Sequence, residues 1–265
     1  MRLDGDPAPG DIVTVAERSG EFLARGYWNP QSDIRIRLLT WRQDEPIDET
    51  FWRDRLARAI AARHVENRSH DLGAPNAYRL VNAESDGLPG LVVDRYGDWL
   101  VVQALTLGIA ERKGLLAGLL AEMLSPAGIF ERSDVDVRQK EGLPPEAGLL
   151  WGESPPEYIE IDENGRRFLV DVRQGHKTGF YLDQRENRAI IGDWFRSDER
   201  ASQRTVLNAF AYTGGFAVYA LGSLVKRVIN VDSSTDALAL ARRNVALNGY
   251  QTNDDDFMEG DVFQV

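Results

Sequence analysis

The 265 residues carry a net charge of −11, no cysteine and three histidines, which excludes disulfides, thiolate metal sites and a cysteine nucleophile within the chain. His64, His70 and His176 are too scattered to suggest zinc, so no metal is expected. There is no apolar run of about eighteen residues, and MRLDGDPAPG has neither the basic nor the apolar region of a signal peptide; with 43% hydrophobic residues, a cytoplasmic protein of two or three small domains and no membrane partner is expected.

Short strands are predicted between 11 and 41, where DIVTV, EFLARGYW and IRIRLLTW are separated by SG and NPQSD turns. Arg35 and Arg37 alternate with Ile34, Ile36 and Leu38, giving a basic face that is either solvated or turned to RNA. A helix follows from Ile47 to about Asn67. Asp48 is its N-cap, Phe51, Leu56, Ala59 and Ile60 form its buried side, and its arginines coat the remainder.

A second unit is expected from about Leu72. It begins with a strand, a loop and a hairpin turning at Tyr96-Gly97-Asp98, followed by an amphipathic helix over 109–124 stopped by Ser125-Pro126. IFERSDVDVR reads as a further strand and EGLPPEAGLLWGESPPE as a linker. Asp94, Asp134 and Asp136 have no ligand spacing and are read as solvent-facing. Seventeen acidic residues stand against seven basic ones over 71–165, but eight basic against six acidic over 166–200. The acidity of the whole chain therefore does not exclude a local contact with phosphate. A last hairpin, YIEIDENGRRFLVDV, turns at Asn164-Gly165.

From Arg204 the pattern is β-α-β-α-β, which implies a parallel, doubly wound sheet that binds ligands beyond the carboxyl ends of its strands. Gly214 and Gly215 remove side chains where the backbone would approach a ligand. Asp232 ends the second strand, where a carboxylate can accept from both ribose hydroxyls, and Asp261 leaves the third, placed to accept from an adenine amino group. Ser233 or Ser234 caps the helix after the second strand, whose inward stripe is Leu238, Ala241 and Val245. The loop lacks the Gly-x-Gly-x-x-Gly spacing that fits a pyrophosphate, which favours S-adenosyl-L-methionine over a dinucleotide.

Just before that sheet stands GHKTGFYLDQRENR, Gly175 to Arg188. Together with YRLVNAESDGLPGLVVDRYG, ERSDVDVRQKEGL, VLNAFAYTGGFAVYAL and NVDSSTDALALARRNVALNG, it resembles the PUA-containing class I methyltransferases that modify cytosine carbon-5 in bacterial large-subunit ribosomal RNA. The resemblance implies an α/β protein in three parts: a partial PUA-like, RNA-binding β-barrel over 1–70, a small central α+β domain over 71–165, and the first half of a Rossmann-like methyltransferase sheet over 166–265. It implies ribosomal RNA as partner and leaves a homodimer open.

It also implies that Gly175–Arg188 folds over the cofactor pocket, with Phe180 and Tyr181 as walls and Gln184 and Arg185 as donors to the methionine carboxylate. Asp183 would orient Arg185 or cap the following helix, and Lys177 would meet the cofactor carboxylate or an RNA phosphate. A surface salt-bridge network is the other reading of Lys177, Glu186 and Arg188. The remaining expected cofactor residues are Asn208, Thr213, Gly214, Gly215, Asp232, Ser233, Asp261 and Val262. Two features of the family are absent here, the His-Pro-Trp signature of the PUA opening and the Asp-Pro-Pro loop with its later catalytic Cys. The chain reads as a fragment whose nucleophile lies beyond Val265, inactive as it stands. An RNA-binding module without catalysis, and a methyltransferase for another base or a small molecule, are the alternatives.

Overall fold

Three antiparallel strands open the fold, β1 (Ile12–Ala16), β2 (Phe22–Trp28) and β3 (Ile36–Thr40), in the order β1-β2-β3. They belong to a computed structural model of the chain that describes residues 4–66 and 75–264. The expected start of a second unit at Leu72, and any meeting of His64 with His70, fall outside the residues and side chains described. Helix α1 (Glu49–Glu66) starts where expected. Asp48 Oδ1 accepts the N–H of Phe51 at 3.1 Å, satisfying a donor that the first helical turn would otherwise leave open. Its arginines are more engaged than a coat: Arg55 lies 4.7 Å over the Phe51 ring and Arg63 pairs with Asp86 at 2.9 Å.

A five-stranded sheet follows, β4 (Ala77–Asn82), β5 (Leu91–Tyr96), β6 (Trp99–Ala104), β7 (Gly128–Ser133) and β8 (Glu146–Gly152), ordered β4-β5-β6-β7-β8. β6 and β7 run parallel, so their connection needs a crossover, supplied by α2 (Leu107–Ala110) and α3 (Lys113–Leu124). The single helix predicted over 109–124 is thus two. The break falls at Arg112, whose guanidinium folds back to the carbonyls of Gly108 at 2.8 Å and Gly10 at 3.1 Å. Much of the expected linker is strand β8, since antiparallel pairing with β7 overrides its Pro/Gly-rich flanks. Asp94 is not solvent-facing either: it is buried and held by the Arg79 fork at 2.8 and 3.0 Å.

Tyr27 and Leu39 of the small sheet, Trp52 and Leu56 of α1, and Val93, Leu100 and Leu120 share one core. The described residues up to 66 accordingly form one compact unit with 78–157. Polar bonds reinforce it. Buried Glu141 accepts from Asn29 Nδ2 at 2.9 Å, Ser32 Oγ at 2.8 Å and Arg37 Nη2 at 3.0 Å. Arg37 therefore turns onto a carboxylate inside this unit, and the basic face expected of β3 is not continuous.

The second unit comprises residues 75–77 and 158–264 as described. Its hairpin, β9 (Ile159–Glu163) and β10 (Arg166–Val170), turns through Asn164 at φ 51° and Gly165 at φ 72°, the paired positive values of a type I′ turn. Helix α4 (Arg185–Ser197) leads into β11 (Thr205–Ala209), α5 (Gly215–Leu221), β12 (Arg227–Asp232), α6 (Thr235–Leu247) and β13 (Phe257–Glu259). The strands are parallel in the order β11-β12-β13, and α5 and α6 pack on each other and on β12. Ser234, rather than Ser233, caps α6 by accepting the N–H of Ala237, and Leu238, Ala241 and Val245 are buried.

Burial pushes the Glu141 carboxyl up, but the bonds from Ser32, Asn29 and Arg37 outweigh it and hold the group below the ordinary glutamate range. A depressed carboxylate contributes stability that is complete above its unfolded pKa of about 4.3 and drains away as pH falls through the folded value. Equilibrium unfolding of Glu141→Gln between pH 6 and 3, ranges set by that value, should therefore show a shallower acid loss of stability than the wild type.

Candidate functional site

The carboxyl ends of β11 and β12 open onto a cavity of about 510 Å³ within the second unit. Asp232, the last residue of β12, ties its rim together. Its Oδ2 accepts the N–H of Tyr212 at 2.8 Å and its Oδ1 that of Ser234 at 3.0 Å. The turn after β11 and the turn after β12 are thus joined through one carboxylate. Each oxygen keeps a further lone-pair site for a ligand hydroxyl.

The turn after β11 is strained. Phe210 and Tyr212 have φ of 56° and 46°, and Lys177 across the cavity has φ of 56°. Non-glycine residues enter this left-handed region at a cost on the order of 1 kcal/mol each, so the surroundings must hold them there. For Tyr212 the holders are visible. Besides Asp232 on its N–H, its hydroxyl donates to Gly179 O at 2.9 Å and accepts from the His176 N–H at 2.8 Å. Its ring stacks on His176 at 4.7 Å and meets Tyr181 edge-on at 5.3 Å. The segment from His176 to Gln184 is thereby clasped to the glycine turn.

Lys177 pairs with Asp183 at 3.0 Å and stands 4.5 Å over the Tyr181 ring. Burial would raise the Asp183 carboxyl, but Lys177 and Gln184 hold it below the usual range. Thr213 is 3% exposed, and its Oγ1 has no hydrogen-bond partner among the described residues. A buried hydroxyl without a partner is costly and marks a place where a ligand group can complete the bonding.

Of the residues expected from the sequence, Lys177, Phe180, Tyr181, Asp183, Gln184, Thr213, Gly215, Asp232 and Ser233 line this cavity. Arg185, Asn208, Gly214, Asp261 and Val262 stand outside its lining. Arg185 turns to Glu186 at 3.2 Å, and Asn208 bonds across the sheet to Asn230 at 2.9 Å. Asp261 accepts the N–H of Phe263 at 2.9 Å. Asp183 neither orients Arg185 nor caps α4: the capping position is Gln184, with no side-chain bond to the helix. Arg188 is no surface residue, being 2% exposed and forked onto Glu163. The sequence reading missed His176, Arg188, Phe210, Ala211, Tyr212 and Phe216 as lining residues. AYTGGF was visible as a loop, but nothing local marks a tyrosine for positive φ.

Gly214 also acts differently from expectation. Its φ of 78° suits glycine, yet a Cβ there would meet Ala241 Cβ at 3.0 Å, so the close approach is that of α6 and not of a ligand. Gly249 has a similar φ of 80° and open space around it. Gly249→Ala should cost about 1 kcal/mol from backbone strain alone, and Gly214→Ala measurably more in urea unfolding. Equal losses would mean that Ala241 yields freely.

Comparison with known proteins agrees with this geometry. The family model described as S-adenosylmethionine-dependent methyltransferase matches residues 115–265, and that of a PUA-like domain matches 1–41. The Tolumonas auensis protein named ribosomal RNA large subunit methyltransferase I is 47% identical over 265 residues, covering 100% of this chain and 64% of the relative. Its Aeromonas salmonicida namesake is 44% identical over 264 residues, covering 100% and 64%. The chain therefore spans just under two thirds of the length of these relatives. Among solved structures, SMU.776 in complex with SAH superposes with a TM-score of 0.81 at 23% identity, over 97% of this chain and 63% of that one, a likeness of fold. With a nucleotide-type sheet, a cavity at its strand ends and a family match over more than half its length, this chain belongs to the S-adenosylmethionine-dependent methyltransferases.

Proposed function

We propose that the cavity binds S-adenosylmethionine and that the chain is part of a cytoplasmic enzyme that methylates large-subunit ribosomal RNA at carbon-5 of a cytosine. The observation that carries the cofactor reading is convergence. The His176–Gln184 clasp, the Ala211–Gly215 turn and the Asp232–Ser233 turn all contribute to the lining of one cavity. In this reading Asp232 receives the ribose hydroxyls, Thr213 and the clasp residues meet the amino-acid end, and Phe180 and Tyr181 form walls. Bound there, the cofactor supplies a methyl group made electrophilic by its sulfonium. Aromatic rings beside a cation suit such a group.

The RNA assignment is supported by the names of the relatives and by the PUA-like match at 1–41. We assign RNA binding to 1–70, a central role to 71–165 and the methyltransferase part to 166–265. The residues here can bind and orient the cofactor and exclude water. They include no cysteine, so a thiolate that adds to cytosine carbon-6 is not among them. The base would have to leave its stack to reach the cavity.

Titration calorimetry with S-adenosylhomocysteine tests the site. The wild-type chain should bind, and Asp232→Ala should weaken binding about tenfold or more, through lost ribose bonds and a loosened Tyr212. No heat from the wild type would remove the cofactor reading. For the substrate, nucleosides digested from ribosomal RNA of a strain lacking the full gene should contain less 5-methylcytidine; an unchanged profile would overturn the cytosine assignment.

A further inference from the structure

Arg188 stands where three walls of the cavity meet. Its Nε and Nη2 fork onto Glu163 Oε1 and Oε2 at 2.8 and 2.7 Å, joining α4 to the end of β9. The same Nη2 donates to the Tyr181 carbonyl at 3.1 Å, and the guanidinium lies 4.6 Å over the Phe180 ring. A Cβ on Gly215 would come within 3.0 Å of Arg188 Cδ, so the glycine turn is fitted to this side chain as well. Glu163 is braced in turn by the Tyr219 hydroxyl, 3.1 Å from Oε1.

Both charged side chains are almost wholly withdrawn from water, at 2% and 4% exposure. A buried ion pair is a poor device for stability alone, because a packed apolar pair of similar volume often does as well or better. Its distinct property is direction: a planar fork on a carboxylate fixes where the remaining N–H bonds point. Here one of them points at the backbone of the clasp.

We infer that Arg188, held by Glu163, is a positioning residue that sets the Phe180–Tyr181 segment in its ligand-receiving geometry. It acts through those two residues, and the inference rests on the cofactor reading given above. A guanidinium that merely filled space could be replaced without changing where Tyr181 sits. One that positions could not.

The test uses the 265-residue chain and the paired variant Glu163→Gln/Arg188→Met, which removes both charges together and leaves no lone buried ion. Its melting temperature should stay close to that of the wild type. Hydrogen exchange should quicken at the amides of 176–184 and stay unchanged in β12 and α6, and the Kd for S-adenosylhomocysteine should rise about tenfold. A merely structural role would loosen the unit throughout or leave the clasp alone. Unchanged clasp exchange or unchanged affinity would therefore overturn the inference. Should the paired variant fail to fold, Arg188→Lys decides, since it keeps the charge but loses the fork: weaker binding with a local rise in clasp exchange supports positioning, and wild-type behaviour refutes it. Failure of the wild-type chain itself to bind would remove the cofactor reading, and this inference with it. Wild-type binding that the variants preserve removes the inference alone.

Discussion

The two hydrogen bonds that Asp232 accepts, from Tyr212 and from Ser234, are the constraint on which the site is built. A parallel sheet brings successive strand ends to one edge but does not determine how the loops beyond them are shaped. The carboxylate does that here. It fixes the last residue of one strand to the turn that follows its neighbour, and it holds Tyr212 in a backbone conformation that a free loop would leave. From Tyr212 the constraint passes outward through its hydroxyl to Gly179 and His176. The cavity is thus assembled from three sequence-distant segments by side chain to backbone bonds, which bring direction that hydrophobic packing lacks.

The two units solve the problem of polar burial in similar ways. In the first, Glu141 gathers Asn29, Ser32 and Arg37, so that the small N-terminal sheet and the central strands share one hydrogen-bonded network over a common core. In the second, Asn244, fully buried, accepts the N–H of Leu169 at 2.7 Å and donates to Thr213 O at 3.0 Å. That one amide fastens α6 both to the hairpin and to the cavity turn. Neither is fully closed: Arg37 Nε in the first and Thr213 Oγ1 beside the second have no hydrogen-bond partner among the described residues.

What could be read beforehand was whatever chemistry acts locally. Asp48 and Ser234, the latter one of two candidate serines, mark helix starts by accepting N–H groups three residues on, and Asn164-Gly165 marks a turn by its paired positive φ. The β-α-β-α-β order and the turns at Thr213 and Asp232 followed from periodicity. Features set by distant partners were hidden. β8 exists because β7 offers it a ladder, although its flanks are rich in proline and glycine. Arg188 looks like a surface charge on an amphipathic helix until Glu163, 25 residues earlier, is seen beneath it. Gly214 looked like an allowance for a ligand and proves to be one for Ala241. Family likeness drew attention to the clasp, yet Tyr212 as its anchor emerged only from three-dimensional contacts.

β11 forms one margin of the three-stranded sheet as described, and the apolar surface around it is open: Leu207 and Phe210 are each 63% exposed. A strand margin with apolar neighbours attracts other margins, whereas a net charge of −11 keeps copies apart. The two influences answer differently to solution conditions. Added salt shortens the reach of the repulsion to about a nanometre or less while leaving the apolar attraction intact. For copies of this chain, ionic strength therefore sets the balance between the two influences.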